Sequence, residues 1–372
     1  NMKKIILLLI GIVMLTSCGK QNFNAVDAIM TNAISERTFP GAVLIVGNSD
    51  RIIHEKAYGK FTYADDAREV TRGSMFDLAS LTKPLATAMC AMKCIDSGLI
   101  DPEDPVDKYL PEFTGPGKDA IKVKHLLMHN SGLPSYTRPQ GSRQETLDHI
   151  MAIDMNKEIG EYTYSCLNFI TLMRVVESAA GMMMWEYYKK EFTDPMGMKK
   201  TMFSPPEAWH AQCLPTIGDS SGTKILRQGI VHDPLALALE GYSGNAGLFS
   251  TVSDLAALCQ MMLNHGTYKN KTYVSKETIL PFITLQSKGR TYGWAINDHY
   301  TSAGKRISKT AIGHTGYTGT SAWIDYENDI FIVLLTNRVY PDDKVGLNPL
   351  RRAVHNAVME AVFDLKPDTE EL

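Results

Sequence analysis

An excess of charge of either sign is what this 372-residue chain lacks most plainly: 38 Lys and Arg stand against 41 Asp and Glu, a formal net charge of −3. No long run of like charge interrupts that balance. It excludes the phosphate-neutralising surface of a nucleic-acid binder and the polybasic patch of a membrane-surface protein. Cysteine is also scarce, with six in all. Once Cys18 is set aside, Cys90, Cys94, Cys166, Cys213 and Cys259 form an odd, scattered set that makes no disulfide framework. Cys90 and Cys94 share a helix face, but that geometry seldom bridges, so these residues read as buried small hydrophobes. Internal repeats and low-complexity tracts are absent. The longest apolar run, residues 5–15, falls far short of a ~30 Å bilayer at ~1.5 Å per residue.

Preceded by Lys3 and Lys4, that run reads as a secretory signal over residues 1–17. LTSC, at residues 15–18, resembles a bacterial lipoprotein box. The resemblance implies cleavage before Cys18, lipidation of its thiol and a tether over residues 18–23. Gly19 and Lys20 bring no acidic retention signal, which points to an outer-membrane anchor facing the periplasm. Membrane contact is expected only through that lipid, and no nucleic-acid partner is expected.

With 44% hydrophobic and 21% charged residues, the composition suits a globular protein with a sizeable core. A helical pattern over residues 24–37 leads into two strand-like runs, GAVLIVGN and RIIHEKAYG, joined at Ser49-Asp50, which is a hairpin signal. From about residue 80 to 231 the pattern is helical and loop-rich. Its helical stretches are ATAMCAMKCIDSG, VKHLLMHNSGLP, LNFITLMRVVESAAG and MMMWEYYKKEF, the last read as core or pocket wall. SDLAALCQMMLNHG is a further helix. TYGWAIN, TSAWIDY and DIFIVLLTN read as strands, the last two parted by a Glu327-Asn328 turn, and NPLRRAVHNAVMEAVF closes the chain as a helix. Strands near both termini with helices between them predict an α/β (α+β) fold. One antiparallel sheet, flanked by helices, would be built from residues 24–80 and 236–368, with an inserted all-helical region over residues 81–235 and a cleft where the two meet.

Ser-x-x-Lys occurs four times, starting at Ser17, Ser80, Ser221 and Ser302. The first lies in the leader, and SGTK and SAGK are loops around glycine. Only Ser80 and Lys83 precede a long apolar helix. Pro84 fixes where that helix starts, because proline is tolerated in a first turn and breaks an interior. The helix is therefore expected to begin at or just before Ser80, with Asp77 as N-cap. Residues three apart share a face, so the Lys83 amine can reach the Ser80 hydroxyl. Free N–H groups at the helix start suit an oxyanion. Partial burial in that field predicts a lysine depressed enough to act as a base. Ser80 itself is expected at an exposed first-turn position. The plain alternative is a capping serine followed by a solvated lysine.

Further segments raise the catalytic reading. FDLASLTKPLAT, HLLMHNSGLP, YTYSCLNFITLMRVVE, GNAGLFSTVSDLAAL and GHTGYTGTSAWID resemble, in family order, the serine β-lactamase/penicillin-binding-protein superfamily. The likeness covers nearly all the chain beyond the leader and is closest to the branch of class C β-lactamases, D-Ala-D-Ala carboxypeptidases, esterases and acyltransferases. It implies Ser80 as nucleophile, Lys83 sharing or accepting its proton, and Tyr164 relaying protons. A phenol of ordinary pKa near 10 does so only beside a cation such as Lys83. Tyr162, two residues earlier, is expected to point elsewhere. His314-Thr315-Gly316 stands where many relatives have Lys-Thr-Gly and would line the substrate site. His314 would hydrogen-bond Tyr164 or a substrate carboxylate, its charge depending on its surroundings. Gly316 would let backbone approach the substrate. The N–H groups of Ser80 and Tyr317 would form the oxyanion hole.

Cys166 departs from the Asn or Asp that family members carry to position the lysine and the substrate amide, and a thiol is a weak hydrogen-bonding partner. Together with His314, it disfavours β-lactam hydrolysis and cell-wall peptidase activity and leaves acyl transfer through Ser80 intact. As a nucleophile itself, Cys166 lacks a flanking His/Asn pattern. His125 and His129 have the spacing of a zinc helix without the glutamate of His-Glu-x-x-His, so neither metal nor other cofactor is expected. Residues 244–250 are expected to border the cleft. The leading function is a serine hydrolase cleaving a small-molecule ester or amide through an acyl-Ser80 intermediate. Alternatives are an acyltransferase passing the acyl group to a hydrophobic, sterol-like or polyketide-like alcohol, a D-Ala-D-Ala peptidase or β-lactamase, and a non-catalytic binding lipoprotein. The joint presence of Ser80, Lys83 and Tyr164 argues against the last.

Overall fold

GAVLIVG has no polar side chain to turn toward water, so a strand made of it needs cover on both faces. In the computed structural model, which describes residues 21–220, 222–297 and 302–367, the strand Gly41–Gly47 is buried from end to end. It lies inside a six-stranded sheet, between Ile330–Thr336 and Ile52–Gly59, with Leu44 opposite Leu334. Ser321–Asp325, Ile312–Thr315 and Ala295–Ile296 follow in order beyond Ile330–Thr336, and every pairing is antiparallel. The signal segment, Cys18 and the serines that open two of the Ser-x-x-Lys matches, Ser17 and Ser221, lie outside the described residues.

Alternate side chains of these strands divide between two cores, as a two-residue period requires. Ala42, Leu44 and Val46, with Ile332 and Leu334, pack against Val26 and Met30 of the helix Asn24–Ser35 and against Val354 and Val358 of Asn348–Phe363. Val43 and Ile45, with Val333 and Leu335, belong to the larger core, which also holds Leu255, Leu258 and Met262 of the helix Val252–Leu263. Each such side chain contributes roughly 1.5–3 kcal/mol by leaving water.

The sheet takes its strands from residues 41–59 and 295–336, so both ends of the chain build it. The segment between is mainly helical, centred on Ala88–Asp96 and Cys166–Ala180. It is not wholly so. Thr216–Ser220 and Thr223–Arg227 form a small hairpin, and Met202–Phe203 joins Phe76–Asp77 and Leu248–Ser250 in a three-stranded patch. Thr223–Arg227 is exposed over most of its length, so no buried face imprints an apolar alternation on its sequence. The patch positions the site, because Phe76–Asp77 runs straight into the turn that carries Ser80.

Candidate active site

The stretch from Asp77 to Thr87 departs from the single helix expected there. Ala79–Leu81 forms a 3-10 turn, Lys83–Thr87 a π turn, and regular α-helix begins only at Ala88. Pro84 supplies no N–H to the carbonyl of Ser80, so the ladder loosens where it would otherwise be α-helical. Such π turns are frequent at functional sites. Ala79 has φ +47°, a left-handed conformation that costs a residue with a Cβ about 1–3 kcal/mol. Leu78, not Asp77, occupies the cap position of the first turn. The Asp77 carboxylate instead accepts the Ala79 N–H at 2.8 Å. Ser80, expected at an exposed position, is half-buried.

Three distant segments meet at that turn. Lys83, fully buried, donates from Nζ to Ser80 Oγ at 3.0 Å and to the Asn245 carbonyl at 2.9 Å. Tyr164, just ahead of the helix Cys166–Ala180, has the Lys83 Nζ 4.9 Å from its ring centre, near enough that Lys83 and Ser80 both oppose the rise burial gives its pKa. Burial works against the ammonium, but Cys166, Tyr164 and Asp233 outweigh it and hold Lys83 above the ordinary lysine value. This reverses the expected depression: desolvation is present, yet acidic and polarisable partners win. Burial likewise raises Tyr164, with Lys83 pulling against it. The resting pair at neutral pH is therefore ammonium and neutral phenol.

The strand Ile312–Thr315 delivers the next group. Burial, then Arg290 and Lys83, push His314 well below the ordinary histidine value, so it is neutral at pH 7. Its Nδ1 donates to the Thr315 carbonyl at 2.8 Å rather than serving Tyr164, whose ring centre lies 5.9 Å away. A Cβ on Gly316 would lie 2.0 Å from Thr320 Oγ1 and 2.4 Å from the Leu78 carbonyl oxygen. Glycine is thus required there for the strand end to press against the turn that carries Ser80. Thr318 and Thr320 fasten the same contact, donating to the carbonyls of Asp77 at 2.7 Å and Leu78 at 3.0 Å. The Tyr317 amide sits within this strapped loop and makes no backbone hydrogen bond among the described residues.

A cleft of about 510 Å³ opens over these groups, lined among others by Ser80, Tyr164, His314 and Thr315. Tyr162 lines it too, contrary to the expectation that it would point away. Arg290 donates to the Tyr162 hydroxyl and stands 4.8 Å over its ring. No local pattern marks Arg290 in the sequence, since it reaches the cleft through an irregular segment ahead of Ala295–Ile296. Asn245 was legible only as part of a bordering segment, because its contribution is a backbone carbonyl. Cys166 is half-buried at the start of its helix, close enough to influence Lys83. The two histidines of the zinc-like spacing are engaged by backbone: His125 Nδ1 accepts the Lys122 N–H at 3.0 Å and His129 Nδ1 the Ser165 N–H at 3.1 Å.

A family model described as Beta-lactamase matches residues 25–356. The N-acetylmuramyl-L-alanine amidase of Bacillus subtilis (strain 168) is 33% identical over 344 residues, covering 81% of this chain and 77% of that protein. A penicillin-binding protein homologue from Caulobacter crescentus superposes with a TM-score of 0.75 at 17% identity, covering 91% of this chain and 97% of its own. EstCE1, described as a hydrolase with promiscuous acyltransferase activity, gives a TM-score of 0.72 at 22% identity, with coverage of 90% and 99%. At those identities the two solved structures speak to the fold.

Proposed function

The chain belongs to the Beta-lactamase family and is a serine hydrolase of that family; from this premise we propose that Ser80 is its nucleophile and that Lys83 and Tyr164 are its proton-handling pair. The observation that carries the reading is the 3.0 Å approach of Lys83 Nζ to Ser80 Oγ, with the same Nζ 4.9 Å from the Tyr164 ring centre. Ser80 Oγ adds to the carbonyl carbon of an ester or amide while its proton passes to the pair. The N–H groups of Ser80 and Tyr317 hold the developing oxyanion. Tyr164 then returns the proton to the leaving oxygen or nitrogen as the old C–O or C–N bond breaks. Water repeats the sequence on the acyl-enzyme, releasing the acid and restoring Ser80. Added alcohol acceptors would divert acyl groups only if the cleft seats them, so product partitioning measures how far the enzyme acts as a transferase.

One observation narrows the substrate. His314 is neutral where relatives place a lysine, and Arg290, held over Tyr162, lines the cleft beside it. This cation favours acyl donors bearing an anionic group over neutral ones. Arg290→Gln is expected to raise KM for a carboxylate-bearing donor about tenfold, in line with loss of one charge-assisted hydrogen bond, and to leave a neutral ester nearly unaffected. Equal effects on both donors would refute the anion preference. The cellular part of the proposal is export and lipid anchoring at Cys18, supported by the order of basic, apolar and LTSC segments; Cys18→Ala should release the protein from membranes.

A further inference from the structure

Asp77 lies three residues before Ser80 and takes no part in the steps above. It is 2% exposed, and its carboxylate spans two pieces of chain. One oxygen accepts the Ala79 N–H at 2.8 Å and the other accepts the His232 N–H at 2.6 Å. The first bond steadies the left-handed residue that aims both the Ser80 hydroxyl and the Ser80 N–H. The second fixes His232, whose imidazole stacks on the Tyr317 ring with centres 5.5 Å apart. Tyr317 supplies the other proposed oxyanion donor, and its neighbour Thr318 donates to the Asp77 carbonyl at 2.7 Å. Beyond His232, Asp233 accepts from the Asn245 side chain at 3.1 Å, and the Asn245 carbonyl holds Lys83 at 2.9 Å. One buried carboxylate thus ties the turn carrying one donor to the segment that braces the other.

We propose that ionised Asp77 is a positioning residue that sets the spacing of the two oxyanion donors, so that its protonation slows acylation of Ser80. The inference rests on the reading of Ser80 as nucleophile.

The surroundings place that protonation in an accessible range. Burial raises Asp77 from 3.8 to about 6, against the lowering effect of the His232 and Ala79 N–H groups; Asp233 adds to the rise and Arg227 opposes it. Cys213 is the other titratable side chain that feels Asp77. Burial also lowers His129, His232 and His314 from the ordinary value, and any transition they add would persist in Asp77→Asn. Below pH about 6 one carboxyl oxygen gains a hydrogen and can no longer accept from the N–H it faces, so activity falls with pH. Stability moves the other way. A carboxyl whose pKa is raised by folding binds its proton more tightly in the folded chain, so stability increases as pH drops from about 6 toward 3.8. A purely structural carboxylate would show the same gain in stability with no acid limb in the acylation rate.

The test follows the rate of Ser80 acylation by a fluorophosphonate and by a p-nitrophenyl ester between about pH 4.5 and 8, with thermal melts, for wild type and Asp77→Asn. As pH falls, proton uptake by the Lys83–Tyr164 pair lowers the rate of every variant about tenfold per unit, and wild type should add an acid limb, about a further tenfold per unit below a midpoint near 6. Asp77→Asn keeps one acceptor and cannot titrate. It should be about tenfold or more slower near neutral pH, with KM within about twofold, no acid limb and an unchanged or higher Tm. Asp77→Glu should restore part of the limb. A variant with wild-type rate and limb, or one that loses Tm and rate together while keeping the limb, would overturn the inference. Should Asp77→Asn not fold, Asp77→Glu decides: a limb displaced from the wild-type midpoint upholds the proposal and an unmoved one overturns it. Absence of acylation in wild type at every pH would instead remove the Ser80 assignment, and this inference with it.

Discussion

Burying an ammonium costs several kcal/mol unless it is paired. Lys83 offsets that cost with the Ser80 hydroxyl, the Asn245 carbonyl and the Tyr164 ring. Burial lowers its pKa, but Cys166, Tyr164 and Asp233 outweigh burial and hold it raised, which defines the resting state. The pair must lose one proton before it can accept another from Ser80, so kcat/KM should still be climbing with pH above neutrality. A plateau already reached by about pH 7 would contradict the resting state of ammonium and phenol. Lys83→Ala and Tyr164→Phe should each lower kcat by about 10²–10⁴, the range of a positioned acid or base, in steady-state assays on folded protein. Full activity in either would reassign the roles. Ser80→Ala should abolish turnover while shifting stability by no more than about 1 kcal/mol in denaturant titration, since it removes one hydroxyl from a half-buried site.

Among the elements, the junction between the strand Ile312–Thr315 and the turn at Ala79–Leu81 sets the geometry on which the proposed catalysis depends. Its closeness depends on Gly316, where a Cβ would collide with the Leu78 carbonyl oxygen at 2.4 Å. Gly316→Ala should therefore destabilise the fold by about 1–3 kcal/mol and reduce kcat, because backbone on one side has to retreat. Unchanged melting and turnover would show that the contact is slack. The elements were unevenly legible. Helices such as Asn24–Ser35, Cys166–Ala180 and Asn348–Phe363 are written in their apolar spacing, because one face of each meets a core. The hairpin at Thr216–Arg227 was not legible, since Thr223–Arg227 is largely solvated. The π turn at Lys83–Thr87 also escaped notice. Pro84 announces a helix start, but the form of that start depends on distant bonds, among them Thr87 Oγ1 to the Gly244 carbonyl at 2.7 Å. Arg290 and Asn245 entered the site by tertiary approach alone, which no local period encodes.

At the scale of the whole molecule, the two chain ends close one sheet around fully buried strands, and the helical segment between them returns the Tyr164 and Asn245 segments to Ser80. Position in the sequence therefore says little about position in the site: residues 80, 164, 245 and 314 are brought to one place by a rigid frame. Such a frame holds groups where they need little rearrangement to act, the condition for strong transition-state stabilisation. The most direct measurement on this arrangement is peptide mapping by mass spectrometry of the full-length protein after brief reaction with a fluorophosphonate. One adduct is expected, on the peptide containing Ser80, lost in Ser80→Ala and formed far more slowly in Lys83→Ala. An adduct on Cys166 or on any other residue, with Ser80 unmodified, would contradict the assignment of Ser80 as nucleophile.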